Sequence, residues 1–293
     1  MSEKNHRYLD PLSDFGFKHF FGRESNKDIL IDFLNVIFED QKRITNIIYS
    51  PTEYAGEYKE LKKVYFDVLC TGENGEQFII EMQRNPQRYF RERCIYYLSR
   101  LFNEQLPRGE SKWNSEFKEI YLIGVLEFPL EYNDEKGYLH HVSLVEKYTK
   151  KVFYEKIGIK FLELPNFNKP VEKLTSDLDK WLYILKNIHY LSERPPVLDS
   201  PVFQKIFKIA ELANLTKEER MEYDSGLKAY WDYHNSIAYA AEIAEERGEI
   251  KGKQEGERQK AIEIAIELKH EGFSVDMIAK ITKLPMDEIE NVK

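Results

Sequence analysis

The stretch Lys63–Arg84, KVYFDVLCTGENGEQFIIEMQR, carries the reading on which the rest of the chain depends. Two runs of β-branched and aromatic residues flank Glu73-Asn74-Gly75, the composition of a β-hairpin. Period-2 alternation puts Val64, Phe66, Val68 and Cys70 on one face of the first strand. On the second, Phe78, Ile80 and Met82 share a face, and Ile79, Glu81 and Gln83 share the other. Loop length sets the register. A two-residue Asn74-Gly75 turn pairs Val68 with Glu81 and leaves Asp67 on the far face. A three-residue Glu73-Asn74-Gly75 loop, with Gly75 left-handed, pairs Asp67 with Glu81 and sets Cys70, Val68 and Phe66 opposite Phe78, Ile80 and Met82. The second register is the expected one, because a one-residue slip moves every side chain to the wrong face.

Each acid then sits in an otherwise apolar strand, where an unpaired carboxylate is costly. Two readings fit: a pair of solvated acids on a half-exposed sheet face, or two oxygen ligands of a hard divalent cation such as Mg2+. A cation held there could polarise a phosphoryl oxygen and activate a water.

Asp67, a turn, and then Glu81-Met82-Gln83 resemble the active-site signature of PD-(D/E)XK nucleases. More narrowly, the chain resembles the recombination-promoting nuclease (Rpn) and transposase family, in which the last motif position is Gln, as Gln83 is here. The opening Asp10-Pro-Leu-Ser-Asp14-Phe-Gly-Phe-Lys18, the later Tyr96-Tyr97-Leu98-Ser99-Arg100 and the stretch Asp179-Lys-Trp181-Leu match it too, so the resemblance covers most of the chain. It implies an α/β fold, a restriction-endonuclease-like αβββαβ core with a mixed sheet flanked by helices. It also implies metal-dependent hydrolysis of DNA phosphodiesters. Asp67, Glu81 and the Met82 carbonyl would hold Mg2+, with Mn2+ or Ca2+ as alternatives. Gln83 would position the water, and Asp14 would be a third acid of the site; the local reading of Asp14 is an N-cap or a surface acid. An amide at Gln83 carries no positive charge and is no base near neutral pH, so slow or conditional cleavage is expected. The alternative is a weakly catalytic DNA-binding, regulatory or protein-interaction module of the same fold. Recombination, transposition and phage defence are all compatible roles.

At 293 residues, one large or two smaller domains are expected. The net charge of −8 argues against a uniformly basic nucleic-acid binder, so any DNA contact must be local. One basic stretch exists: Arg84 to Lys118 holds eight Lys or Arg against four Glu. A helix started by Pro86 would set Arg84, Arg88 and Arg91 on one side for a phosphate backbone, or on an ordinary solvated face. Tyr97 falls on the buried side. Cys70 and Cys94 lie in apolar patterns, which suits a reducing cytoplasm. No apolar run reaches the roughly 20 residues of a membrane span, and the polar start, Met1 to His6, has no signal-peptide core.

Ser25 is expected to cap a helix carrying Ile29, Leu30, Phe33, Leu34, Ile37 and Phe38. Further strands are expected within 43–51, 117–128, 138–145 and 157–164. Glu53 and Glu57 could add acids to the site, and nothing in their pattern singles them out. His140-His141 is no metal pair, because neighbours in a strand point oppositely. A nuclease-like domain is expected over 1–195 and a helical extension over 196–245. Residues 246–260 read as a Gly-spaced charged linker helix, with Gly248, Gly252 and Gly256 every fourth residue, or as a close helix seam. A three-helix tail over 261–293 has a helix-turn-helix outline, but its last helix is acidic and phosphates would repel it. A protein partner or a second copy through these helices is the expected use.

Overall fold

Gly75 does what the three-residue loop requires. In the computed structural model, which describes residues 6–54, 64–106, 116–130 and 137–292, Gly75 has φ +85° and its N–H donates to Gly72 O at 3.1 Å. The Gly72 N–H donates to Glu76 O at 2.8 Å, and the buried Glu76 carboxylate accepts the Asn74 N–H at 2.9 Å. Glu57, Arg108 and Lys112 lie outside the described residues.

The chain opens with α1 (Asp14–Phe21) and α2 (Lys27–Phe38), followed by β1 (Ile47–Tyr49), β2 (Glu53–Tyr54), β3 (Val64–Tyr65), β4 (Val68–Gly72) and β5 (Gln77–Gln83). Then come α3 (Phe90–Glu104), β6 (Ile120–Leu126), β7 (Leu139–Val145), β8 (Val152–Glu163), α4 (Asp177–Asn187) and α5 (Pro201–Ala210). The helices α6 (Lys217–His270), α7 (Val275–Thr282) and α8 (Met286–Asn291) complete it. Six strands form one sheet in the order β1-β4-β5-β6-β8-β7, with β5, β6 and β8 mutually parallel; β2 and β3 pair separately. This is the mixed sheet flanked by helices expected of a PD-(D/E)XK-like fold.

Pairings of Val68 with Ile80 and Cys70 with Phe78 establish the expected register. The alternating faces serve two cores. Val68, Cys70, Phe78, Ile80, Ile123 and Val125 pack toward α1, α2, α4 and α5, where Phe21, Phe33 and Trp181 cluster. Leu69, Ile79 and Leu122 pack toward α3 through Cys94, Leu98 and Leu101. The apolar stripe of α2 is buried as its spacing predicts. Trp181 donates its indole N–H to Asp32 at 2.8 Å, joining α4 to α2.

Four local expectations change. The first hairpin strand is broken at Phe66 and Asp67, between β3 and β4, so Phe66 turns to the α3 side and meets the Tyr97 ring at 5.0 Å instead of facing Met82. Ser25 lies in a single 3-10 turn, Glu24–Asn26, and Asn26 occupies the N-cap of α2. Helix α3 starts at Phe90, not at Pro86. Helix α5 packs Phe203, Ile206 and Phe207 into the main core. The compact units run 1–227 and 228–293. In the second, Ala265, Ile278, Leu284 and Ile289 form a small core, and Lys269 Nζ donates to the carbonyls of Ile289, Glu290 and Val292. The first piece of the tail is the end of α6 itself; Gly272 follows with φ +87°, and Ser274 stands at the N-cap of α7 without a side-chain cap hydrogen bond. Helix α6 runs through Gly248, Gly252 and Gly256, and nothing lies within 4 Å of a Cβ added at any of them.

The loop glycine gives a first stability prediction. Gly75→Ala puts a Cβ on a left-handed residue, which costs about 1–2 kcal/mol. The nearest atom to that Cβ is Lys118 Cγ at 3.1 Å, in a flexible side chain that can yield. The expected loss in Tm is about 2–6 °C, measured by thermal unfolding.

Candidate active site

The break at Asp67 is what forms the site. Where β4 would continue opposite Glu81, the two residues exchange side chain for backbone. Asp67 Oδ2 accepts the Met82 N–H at 2.8 Å, and Glu81 Oε1 accepts the Asp67 N–H at 3.3 Å. Asp67 is half-buried and Glu81 is 7% exposed. Burial raises the pKa of both. The Glu81 carboxyl is pushed well up, first by burial and then by the Asp67 charge. For Asp67, burial leads and the Asp14 charge adds to it, while the Met82 N–H and Lys18 pull the other way. Burial of the pair thus outweighs the positive charge that reaches it.

The donor set fits a hard divalent cation: two desolvated carboxylates and the adjoining backbone of Met82, oxygen donors throughout. Among the described residues no three His, Cys, Asp or Glu side chains gather into a metal cluster.

Asp14 is the first residue of α1, while Ser13 is its N-cap and accepts the Gly16 N–H at 3.0 Å. Asp14 is exposed and pairs with Lys18 at 2.8 Å. Their charges reach Asp67, but no direct bond joins Asp14 to either site carboxylate. Gln83 ends β5, with its amide N–H donating to Asn85 O at 3.1 Å and its Oε1 accepting from Arg93.

Arg93 is the residue that sequence reasoning passed over. From the first turn of α3 its guanidinium contacts Gln83 and Gln87 and lies over the Phe90 and Tyr97 rings at 5.6 and 6.0 Å. Its charge lowers the pKa of both Asp67 and Glu81. A signal was present: Arg93 stands three residues after Phe90 and four before Tyr97, a charge at a core-facing interval of the helix. Tyr97, half-buried, has its hydroxyl pushed up to about 12 by burial first and then by Glu81.

The three arginines expected to share a side do not, because Arg84 and Arg88 precede the helix. Arg84 is turned inward, bonded to Asp10 at 2.9 Å and Glu127 at 2.8 Å, with its side chain 15% exposed. Arg88 and Arg91 are exposed, beside a concavity of about 610 Å³ walled by Phe90, Phe128 and Pro129. The two kinds of arginine should separate experimentally. Arg84→Ala takes the guanidinium away from two carboxylates, one of them buried, and should destabilise by about 2–4 kcal/mol. Arg88→Ala should leave Tm within about 1 °C, weaken DNA binding and reduce its salt slope by about 1.

His140 and His141 point apart as expected. His140 Nε2 sits 3.0 Å from Gly137 O and 3.3 Å from Glu163, and His141 lies beside Lys160 on the other face. Both cysteines are buried free thiols, and no helix among the described residues is long and apolar enough to cross a membrane.

No curated protein and no solved structure matches the chain. Residues 11–240 match the family described as PD-(D/E)XK nuclease family transposase. That match takes in the whole sheet and the helices packed on both its faces, so the chain belongs to the PD-(D/E)XK nuclease family of transposases.

Proposed function

We propose that this protein is a divalent-cation-dependent DNA endonuclease, with Mg2+ as its working ion and Mn2+ as a substitute. The observation that carries this reading is the Asp67–Glu81 pair, two desolvated carboxylates brought together where a strand breaks. A bound cation supplies Lewis-acid polarisation of a phosphoryl oxygen and acidifies a water. The remaining roles belong to the chain. Asp67, Glu81 and the Met82 carbonyl hold the ion. Gln83, fixed between Asn85 and Arg93, orients the attacking water through its amide. Arg93 contributes positive charge beside the scissile phosphate. Arg88 and Arg91 contact the flanking backbone.

Gln83 cannot take a proton near neutral pH. The attacking water must therefore give its proton to a site carboxylate, to bulk water or to the substrate phosphate, and slow turnover is expected. Family membership links the reading to recombination or element mobility, and the two buried thiols suit the cytoplasm.

Supercoiled plasmid incubated with the protein in Mg2+, in Mn2+ and in EDTA tests the proposal. Nicking in either metal and none in EDTA is the expected result. Binding without nicking under all three conditions would remove the enzymatic reading.

A further inference from the structure

The sheet has a second concavity, on the face turned away from the carboxylates. Lys160 of β8 pairs with Ile123 and so lies level with Ile80, one residue before Glu81 and on the opposite face. It is 4% exposed. Its ammonium lies 4.7 Å from the Phe38 ring centroid, donates to Gln41 Oε1 at 3.1 Å, and is 3.3 Å from the His141 ring nitrogens. Among the residues whose side chains are described, no carboxylate comes within 4.0 Å of it. The nearest acid to affect it, Glu39, acts only through its field, while burial pulls the Lys160 pKa down to about 8.

Around this cation is a space of about 530 Å³, within the range of small-molecule pockets. Tyr121 and Tyr154 wall it, and Ser143 adds a hydroxyl. Two acids also line it, Glu119 and Glu155. Glu119 is already neutralised by Lys42. A buried ammonium with only an amide and an imidazole beside it lacks a counter-charge that a ligand could bring.

We propose that this concavity binds a small organic molecule through one oxyanion, a phosphate or a carboxylate, paired with Lys160 and held by Gln41, His141 and Ser143. Tyr121 and Tyr154 hold its apolar part. The proposal is independent of the nuclease reading, because no residue of the carboxylate site takes part.

The test uses the full chain and two probes, inorganic phosphate and benzoate, read by calorimetry and by the rise in Tm. Wild type should bind at least one of them, phosphate alone marking a phosphate ligand and tighter benzoate a carboxylate. Lys160→Met should keep Tm at or above wild type, since it replaces an unpaired buried cation with an apolar chain of similar length, and should raise Kd at least about tenfold. Gln41→Glu is the second variant. At an exposed position, it supplies an internal carboxylate to Lys160 and should abolish anion binding while leaving the fold intact. Failure of wild type to bind either probe at about ten millimolar would overturn the proposal, as would unchanged binding in Gln41→Glu.

Discussion

Replacing Glu81 by glutamine is expected to lower metal-dependent nicking by about a thousandfold or more and, at the same time, to raise the Tm of the metal-free protein. The first effect follows from losing a charged oxygen ligand. About 4 kcal/mol of lost transition-state stabilisation is about three decades in rate. The second follows from burial: Glu81 is 7% exposed and held against Asp67, so ionising it in the folded chain is opposed by burial and by the Asp67 charge. Glutamine keeps the shape and can still accept the Asp67 N–H. A gain of about 1 kcal/mol would appear as about 2–4 °C. The opposite signs matter, because a folding defect would lower both readouts. Asp67→Asn should behave alike, its amide oxygen still taking the Met82 N–H. Plasmid nicking and thermal unfolding in EDTA, on the same preparations, check both. Nicking that persists in both variants would place the chemistry elsewhere.

Arg93→Ala carries the second large effect, a fall of about a hundredfold in nicking rate with plasmid affinity little changed. Arg93 grips Gln83 Oε1, and its charge is felt by both carboxylates. Its loss removes a preorganised cation and frees the glutamine to rotate. Arg93→Lys restores charge without the planar fork, so about a tenfold recovery is expected. If the pair acts as a unit, Gln83→Ala should add little on top of Arg93→Ala, a non-additivity that a double-mutant cycle measures. Full additivity would show that the two residues act separately. An Arg93→Ala variant that loses binding and rate together would make it a phosphate contact like Arg88.

What could be read without coordinates was what depended on short-range rules. The register followed from Gly75 and strict alternation, and with it the meeting of Asp67 and Glu81. The α2 stripe and the divergence of His140 and His141 followed for the same reason. What could not be read depended on partners distant in sequence. Arg84 looked like a phosphate ligand because its carboxylates, Asp10 and Glu127, are 74 and 43 residues away. Arg93 was passed over because its contact with Gln83, ten residues away, depends on where α3 starts, at Phe90 and not at Pro86. Phe66 looked like a strand residue facing Met82, and only the exchange of hydrogen bonds at Asp67 turns it to the α3 core. Helix α5 follows a proline-rich break that resembles a boundary, yet its apolar face completes the core built by α1, α2 and α4.

The hydrogen bond from the Met82 N–H to Asp67 has a thermodynamic corollary. A free carboxylate must give up rotamer freedom to ligate an ion, about 0.5–1.5 kcal/mol for an immobilised side chain. Asp67 has met that entropy loss in folding, with one oxygen anchored and the other left over. Ion capture should then show a favourable entropy, dominated by water released from the ion. Discrimination between cations would rest on how well each radius suits a rigid pair of oxygens. Asp67→Glu, which keeps the charge but lengthens the arm past its anchor, should blunt that discrimination before it abolishes binding.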